Sequence, residues 1–177
     1  MRPFALLLGA LLTAAAPGCG GEGDPVDPGP SDLQAGTART DGTGFVEIAD
    51  GADAELVAGA QGGFHVWVNY RVIGASGPLD LVREARRTED GAAILVNAEV
   101  PVDVPDDAML DWWESPTAVP SFMCPTPIGV AVVDHEVRIQ IRLLSETDEL
   151  LGEDTVTVVP RCPTGDNEEW CYRICSG

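Results

Sequence analysis

The stretch Gly62-Gly63-Phe64-His65-Val66-Trp67-Val68-Asn69-Tyr70-Arg71-Val72-Ile73 decides the fold. Phe64, Val66, Val68, Tyr70 and Val72 fall on one side of an extended chain, and His65, Trp67, Asn69 and Arg71 on the other. This is the period-two pattern of a half-buried β-strand. At roughly 3.3 Å per residue the strand runs about 30 Å or more, enough to cross a whole sandwich. It predicts the central strand of an all-β domain with a polar, aromatic row along one face.

Outward from that strand the same pattern returns. On its N-terminal side Phe45-Val46-Glu47-Ile48 and Glu55-Leu56-Val57-Ala58 read as short strands joined through the turn Asp50-Gly51-Ala52-Asp53. On its C-terminal side Gly74 to Pro78 breaks the strand, and Leu79–Thr88 has a composition that suits helix and strand equally. The hairpin-type turn Glu89-Asp90-Gly91 and the plain strand after it, with Ile94, Val96, Ala98, Val100 and Val102 on an inward face, select a β-hairpin. Val137, Ile139, Ile141 and Leu143 alternate with Arg138, Gln140 and Arg142. The turn Ser145 to Glu149 then leads to Thr155-Val156-Thr157-Val158-Val159. About seven to nine strands without a long helix predict a single antiparallel β-sandwich of the immunoglobulin-like kind, over residues 45–160.

Between Val104 and Pro127 the alternation fails. Five prolines interrupt it, Asp106 is placed to cap a short helical turn through Trp113, and Met109, Trp112, Trp113, Phe122 and Met123 lie in the segment. A long irregular connection in a compact domain is either functional or a packed flap. The favoured expectation is that these side chains close one open end of the core.

Arg2 followed by the apolar run Phe4 to Ala16 is a secretion signal, too short to span a bilayer, and residues 1–18 are set apart from the fold. Two cleavage sites compete. Ala14-Ala15-Ala16 suits ordinary signal peptidase, whereas Ala16-Pro17-Gly18-Cys19 reads as a lipobox with Cys19 the first mature residue. The chain has 5 cysteines. Acylation of Cys19 would leave Cys124, Cys162, Cys171 and Cys175, an even set for an oxidising compartment, which favours the lipobox. Residues 19–44 then form an acidic, flexible tether, and the acyl chains hold the protein to a lipid bilayer. Gly20 and Gly21 stand where an aspartate retains lipoproteins at the inner membrane in well-studied bacteria, so the outer membrane is expected.

The tail, residues 161–177, carries three of the four remaining cysteines and no strand pattern. Four cysteines allow three connectivities. Cys162 with Cys171 and Cys124 with Cys175 is the preferred pairing, because one bridge must tie such a tail to the body.

The Gly18-Cys19-Gly20 junction, Gly59-Ala60-Gln61-Gly62-Gly63-Phe64-His65-Val66-Trp67, the late hairpin ending Val158-Val159-Pro160 and the Cys162-Pro163 tail together resemble predicted lipoproteins of the myxobacterial type. The late hairpin also looks like the last two strands of bacterial immunoglobulin-like and fibronectin-like modules. The resemblance implies a fold and an address, and transfers no catalytic residue.

Charge and motifs narrow the function. There are 29 Asp and Glu against 10 basic residues, all arginine, for a net charge of -19. Nucleic acid is excluded as an expected partner by phosphate repulsion. The chain lacks a Gly-x-Ser-x-Gly elbow, a His-Glu-x-x-His helix and a phosphate-binding glycine loop, and Cys171 to Cys175 is not a Cys-x-x-Cys redox pair, so no enzyme is expected.

Two functions stand. The first is a non-enzymatic binding or structural module that meets an envelope protein or polysaccharide through the face of His65, Trp67, Asn69 and Arg71 or through Trp112 and Trp113. The second is a cation-binding or cation-sensing lipoprotein. It would use His65 with His135, Met109 and Met123 as soft ligands, or the acidic turns at Asp50 and Asp53, Asp106 and Asp107, and Glu146 to Glu149. No set has diagnostic spacing, and no metal ligand or cofactor is assigned. The blander expectation has His65 hydrogen-bonded and Trp67 packed beneath the Trp112–Trp113 loop.

Overall fold

Period-two alternation in strand after strand produces two sheets packed face to face. The computed structural model describes residues 31–126 and 129–177. The stretch expected to be a signal sequence, Cys19 and the first part of the expected tether lie outside the described residues. The strands are β1 (Asp32–Gly36), β2 (Ala52–Glu55), β3 (Val57–Ala58), β4 (Phe64–Ile73), β5 (Gly77–Arg87), β6 (Ala93–Val104), β7 (Trp113–Glu114), β8 (Val119–Cys124), β9 (Val137–Ser145) and β10 (Leu150–Arg161), followed by helix α1 (Glu168–Cys175).

β4 is the axis of the first sheet. Its register with β1 and β3 on one edge, and with β8 and β7 on the other, makes four short partners share one long strand. The second sheet has the order β2-β10-β9-β5-β6. Its pairs are antiparallel except β2 with β10, which run parallel, so the sandwich departs there from the antiparallel expectation. The inward row of β4 behaves as its alternation requires, with Phe64, Val66, Val68, Tyr70 and Val72 all almost fully buried. It meets Val137, Ile139, Ile141 and Leu143 of β9 and Leu79, Leu81 and Ala85 of β5. Each such branched side chain removed from water contributes about 1.5–3 kcal/mol, which is why this row sets the register. The outer face of the second sheet carries Glu84 and Arg142, 3.2 Å apart, and is solvated.

Three expectations are corrected. The folded chain already includes Ser31 and β1, ahead of Phe45. Within the stretch read as tether, Leu33 and Ala35 alternate inward, and β1 pairs with β4. β1 also reaches the other sheet, since Ala35 N–H donates to Asp154 Oδ2 at 2.7 Å and Ser31 Oγ–H to Leu151 O at 2.7 Å. Two alternating apolar residues amid polar ones are too short a pattern to stand out from a linker. Phe45–Ile48 is not a strand, and only Val46 makes a bridge, to Thr37. In β6 the inward face is interrupted. Register shifts lie on either side of Leu95, the first spanning Asn97, whose φ is 44°, and they leave Val96 58% exposed while Leu95 packs on the core.

The tail has no strand pattern of its own beyond the end of β10, as expected, and forms helix α1, with Cys171 and Cys175 one turn apart and fully buried. The preferred disulfides are the ones formed, Cys124–Cys175 and Cys162–Cys171.

Gly36 shows how tightly the chain after β1 closes on the sheet. A Cβ there would lie 2.5 Å from Cε2 of Phe45 and 2.7 Å from Val46 O. Gly36→Ala is expected to lower stability by about 1–3 kcal/mol in urea unfolding, the range for overpacking. An unchanged midpoint would show that the Phe45 segment yields.

Candidate functional site

The row read as a recognition face turns out to be covered. After β1 the segment Thr37–Phe45 folds back over the outer side of β4. It is fastened to the loop before β8 by Gly44 N–H to Pro116 O at 3.1 Å and Ala118 N–H to Gly42 O at 2.9 Å. Asn69 is completely buried beneath it. Its Nδ2–H donates to Gly44 O at 2.7 Å and to Ser115 O at 3.0 Å, and its Oδ1 accepts from Tyr70 N–H at 2.8 Å. Trp67 lies under the same cover and not under the Trp112–Trp113 loop, because its Nε1–H donates to Thr40 O at 3.3 Å and Gly42 presses on its ring.

His65 is 5% exposed, edge-on to Trp67 at 4.5 Å and to Phe122 at 5.8 Å. It is not hydrogen-bonded as expected, for neither ring nitrogen has a protein partner. Burial pushes its pKa below the ordinary 6.5. The folded state therefore resists protonation that the unfolded chain accepts. The stabilisation is complete above pH about 6.5 and is lost as pH falls through the depressed value. His65→Phe is expected to keep stability at pH 7.5 and to flatten the fall in melting temperature between pH 7 and 5. An equal fall in the variant would place the pH dependence elsewhere.

Besides the His65–Phe122 and Asn69–Ser115 contacts, the row meets the irregular loop at Arg71 and Trp112, with Phe45 on the other side of the guanidinium. The Arg71 guanidinium lies 5.1 Å from the ring centre of each aromatic, and its Nε–H donates to Gln34 Oε1 at 2.5 Å. The cation and two rings hold Trp112 in place while leaving it 43% exposed. Trp113 turns the other way and meets Tyr70 edge-on at 6.0 Å.

Between β6 and β7 the chain forms a single 3-10 turn, Asp106–Met109, shorter than the turn through Trp113 that the sequence suggests. Pro105 precedes it and no side chain caps it. Ala108 is buried at its base, and Ala108 O accepts Gly74 N–H at 2.7 Å. The tip beyond is open: Met109 is 36%, Leu110 89% and Trp112 43% exposed. Of the side chains expected to close the core, Met123 and Trp113 pack inward, whereas Trp112, Met109 and Phe122 face water.

Sequence reading gave Arg83 no role. It sits on the inward row of β5 between Leu81 and Ala85, 5% exposed, and its Nη1–H reaches Pro120 O at 2.9 Å and Ser121 Oγ at 3.0 Å across the sandwich. The signal was its place in the odd-numbered row. It pins β5 to β8.

The cation readings find their residues dispersed. His135 lies beside Glu89 at 3.7 Å, Met123 is in the core, Asp50 Oδ1 accepts from Thr157, and Asp53 pairs with Arg161 at 2.8 Å. Among the described residues no three His, Cys, Asp or Glu side chains gather as a metal site. No helix among them is long and apolar enough to cross a membrane. Comparison with protein-family models, with curated proteins and with solved structures finds no match.

Proposed function

We propose that the chain is an envelope lipoprotein, held at the outer membrane by acylated Cys19, whose immunoglobulin-like or fibronectin-like sandwich is a non-enzymatic binding module for an envelope protein or polysaccharide. What supports the binding role is one observation. Leu110 and Trp112 are presented to solvent on a loop that Ala108, Trp113 and Arg71 fasten to the fold from three sides. Exposed apolar side chains on a fixed base lose little conformational freedom on contact, which is what anchors at interfaces require. The opposite row of β4, once His65 and Asn69 are buried, has little to offer a partner.

The test places a photo-cross-linking residue at position 110, and separately at position 140 on the outer face of the second sheet, in cells that make the protein. A discrete adduct from 110 that is lost with Trp112→Ala and absent from 140 is the expected result. Adducts of equal yield from both positions would contradict the reading. For the anchor, Cys19→Ser is expected to move the protein from the membrane fraction to the soluble fraction, and retention in the membrane would remove acylation from the account.

A further inference from the structure

The same tip carries charge that the fold does not use. From Asp106 to Glu114 there are four carboxylates, Asp106, Asp107, Asp111 and Glu114, all exposed, and no basic residue. None of the four forms an ion pair among the described residues, as is common for carboxylates in so acidic a chain; what sets these apart is that they flank the exposed Leu110 and Trp112 in sequence. The one cation at the patch, Arg71, is turned to Gln34 and the two rings. Beyond Trp113 a groove of about 220 Å³ lies between β6 and the Trp113–Thr117 segment, and its only charged lining residue is Asp103. Four carboxylates on the loop and Asp103 in the groove thus outnumber the single Arg71 cation beside the apolar tip.

Resting on the binding role above, we propose that this tip docks a basic, amphipathic protein segment. An apolar side chain of the partner sits on Leu110 and Trp112, and its arginine or lysine side chains meet the four carboxylates. The apolar contact supplies burial, while the charges steer approach and reject acidic surfaces. An anionic lipid surface is repelled by the same ring. A neutral polysaccharide would use the Trp112 face and leave the carboxylates idle.

Three short peptides test this against the intact, oxidised chain: alternating Leu and Arg, and the same with Gln or with Glu in place of Arg. Affinity is measured by calorimetry and location by the Leu110 methyl and Trp112 indole NMR resonances. The Leu/Arg peptide is expected to shift both resonances and to bind at least about tenfold more tightly than the Gln peptide. Leu110→Ser should weaken it about tenfold, and neutralising Asp106, Asp107 and Asp111 to Asn should flatten its salt dependence.

Affinity for the Leu/Arg peptide that is indifferent to Leu110→Ser would reduce the effect to general acidity and overturn the proposal. Equal affinity of the Gln peptide at the same tip would remove the charge requirement and leave the loop as a contact surface. If no peptide moves the Leu110 resonance while cross-links form from position 110, the proposal fails and the binding role stands. If both are silent, both fail.

Discussion

Replacing Cys124 and Cys175 together by alanine is expected to lower the unfolding free energy by about 4 kcal/mol and the melting temperature by roughly 10 °C. The bridge spans 51 residues, against 9 for Cys162–Cys171. Chain-entropy cost grows with the logarithm of the loop, so the shorter bridge should contribute less, about 2.6 kcal/mol. The longer one also holds α1. A helix of 8 residues does not persist alone. This one docks where Val132 and Val133 donate their N–H groups to Cys175 O, at 2.8 and 3.2 Å. Urea unfolding of the two double variants under oxidising conditions measures the difference. If removing Cys162–Cys171 proved the more damaging, α1 would be held by its own local bridge rather than by β8.

Asn69→Ala should be the most damaging single change on the outer row of β4, at about 3 kcal/mol. It strips partners from Gly44 O, Ser115 O and Tyr70 N–H in a site closed to water, and each buried polar group left unpaired costs about 1–3 kcal/mol. The same change unfastens the cover over Trp67. Asn69→Asp sharpens the test. It keeps the shape but sets a carboxylate oxygen against two carbonyl oxygens, so its penalty should be larger at pH 7 than at pH 4. A variant as stable as the parent would mean that the Thr37–Phe45 segment is not bound in this way, and that the row is open to ligands after all.

Legibility followed pattern length. β4 and β9 are long enough for their alternation to be unambiguous, and the structure has them where the sequence places them; β5 is legible only through the turn and strand that follow it, and β10 extends the Thr155–Val159 pattern to Leu150–Arg161. β1 was invisible because two apolar residues, Leu33 and Ala35, do not make a period. α1 was missed although Cys171 and Cys175 stand at helical spacing behind an acidic first turn, Glu168 and Glu169, with Arg173 in the last.

The face of β4 is polar, as its alternation says, and Trp67 is covered as the blander expectation has it, but by the Thr37–Phe45 segment and not by the Trp112–Trp113 loop. Alternation says which side a residue takes, and says nothing of a distant segment that returns to cover it. Asn69 and Trp67 are polar because they hold that segment. The loop was recognised as irregular, but its exposure could not be foreseen, since Trp112 and Trp113 are neighbours in sequence that turn to opposite sides.

The central claim is that the domain meets its surroundings through the Met109–Trp112 tip and not through the β4 row. Hydroxyl-radical footprinting with and without envelope membranes from producing cells tests it directly. The account predicts that Leu110 and Trp112, reactive when the protein is alone, lose reactivity when the membranes are present, and that Trp67 is weakly reactive in both. Unchanged reactivity at Leu110 and Trp112, with protection appearing instead at Phe122 or Tyr172, would contradict it.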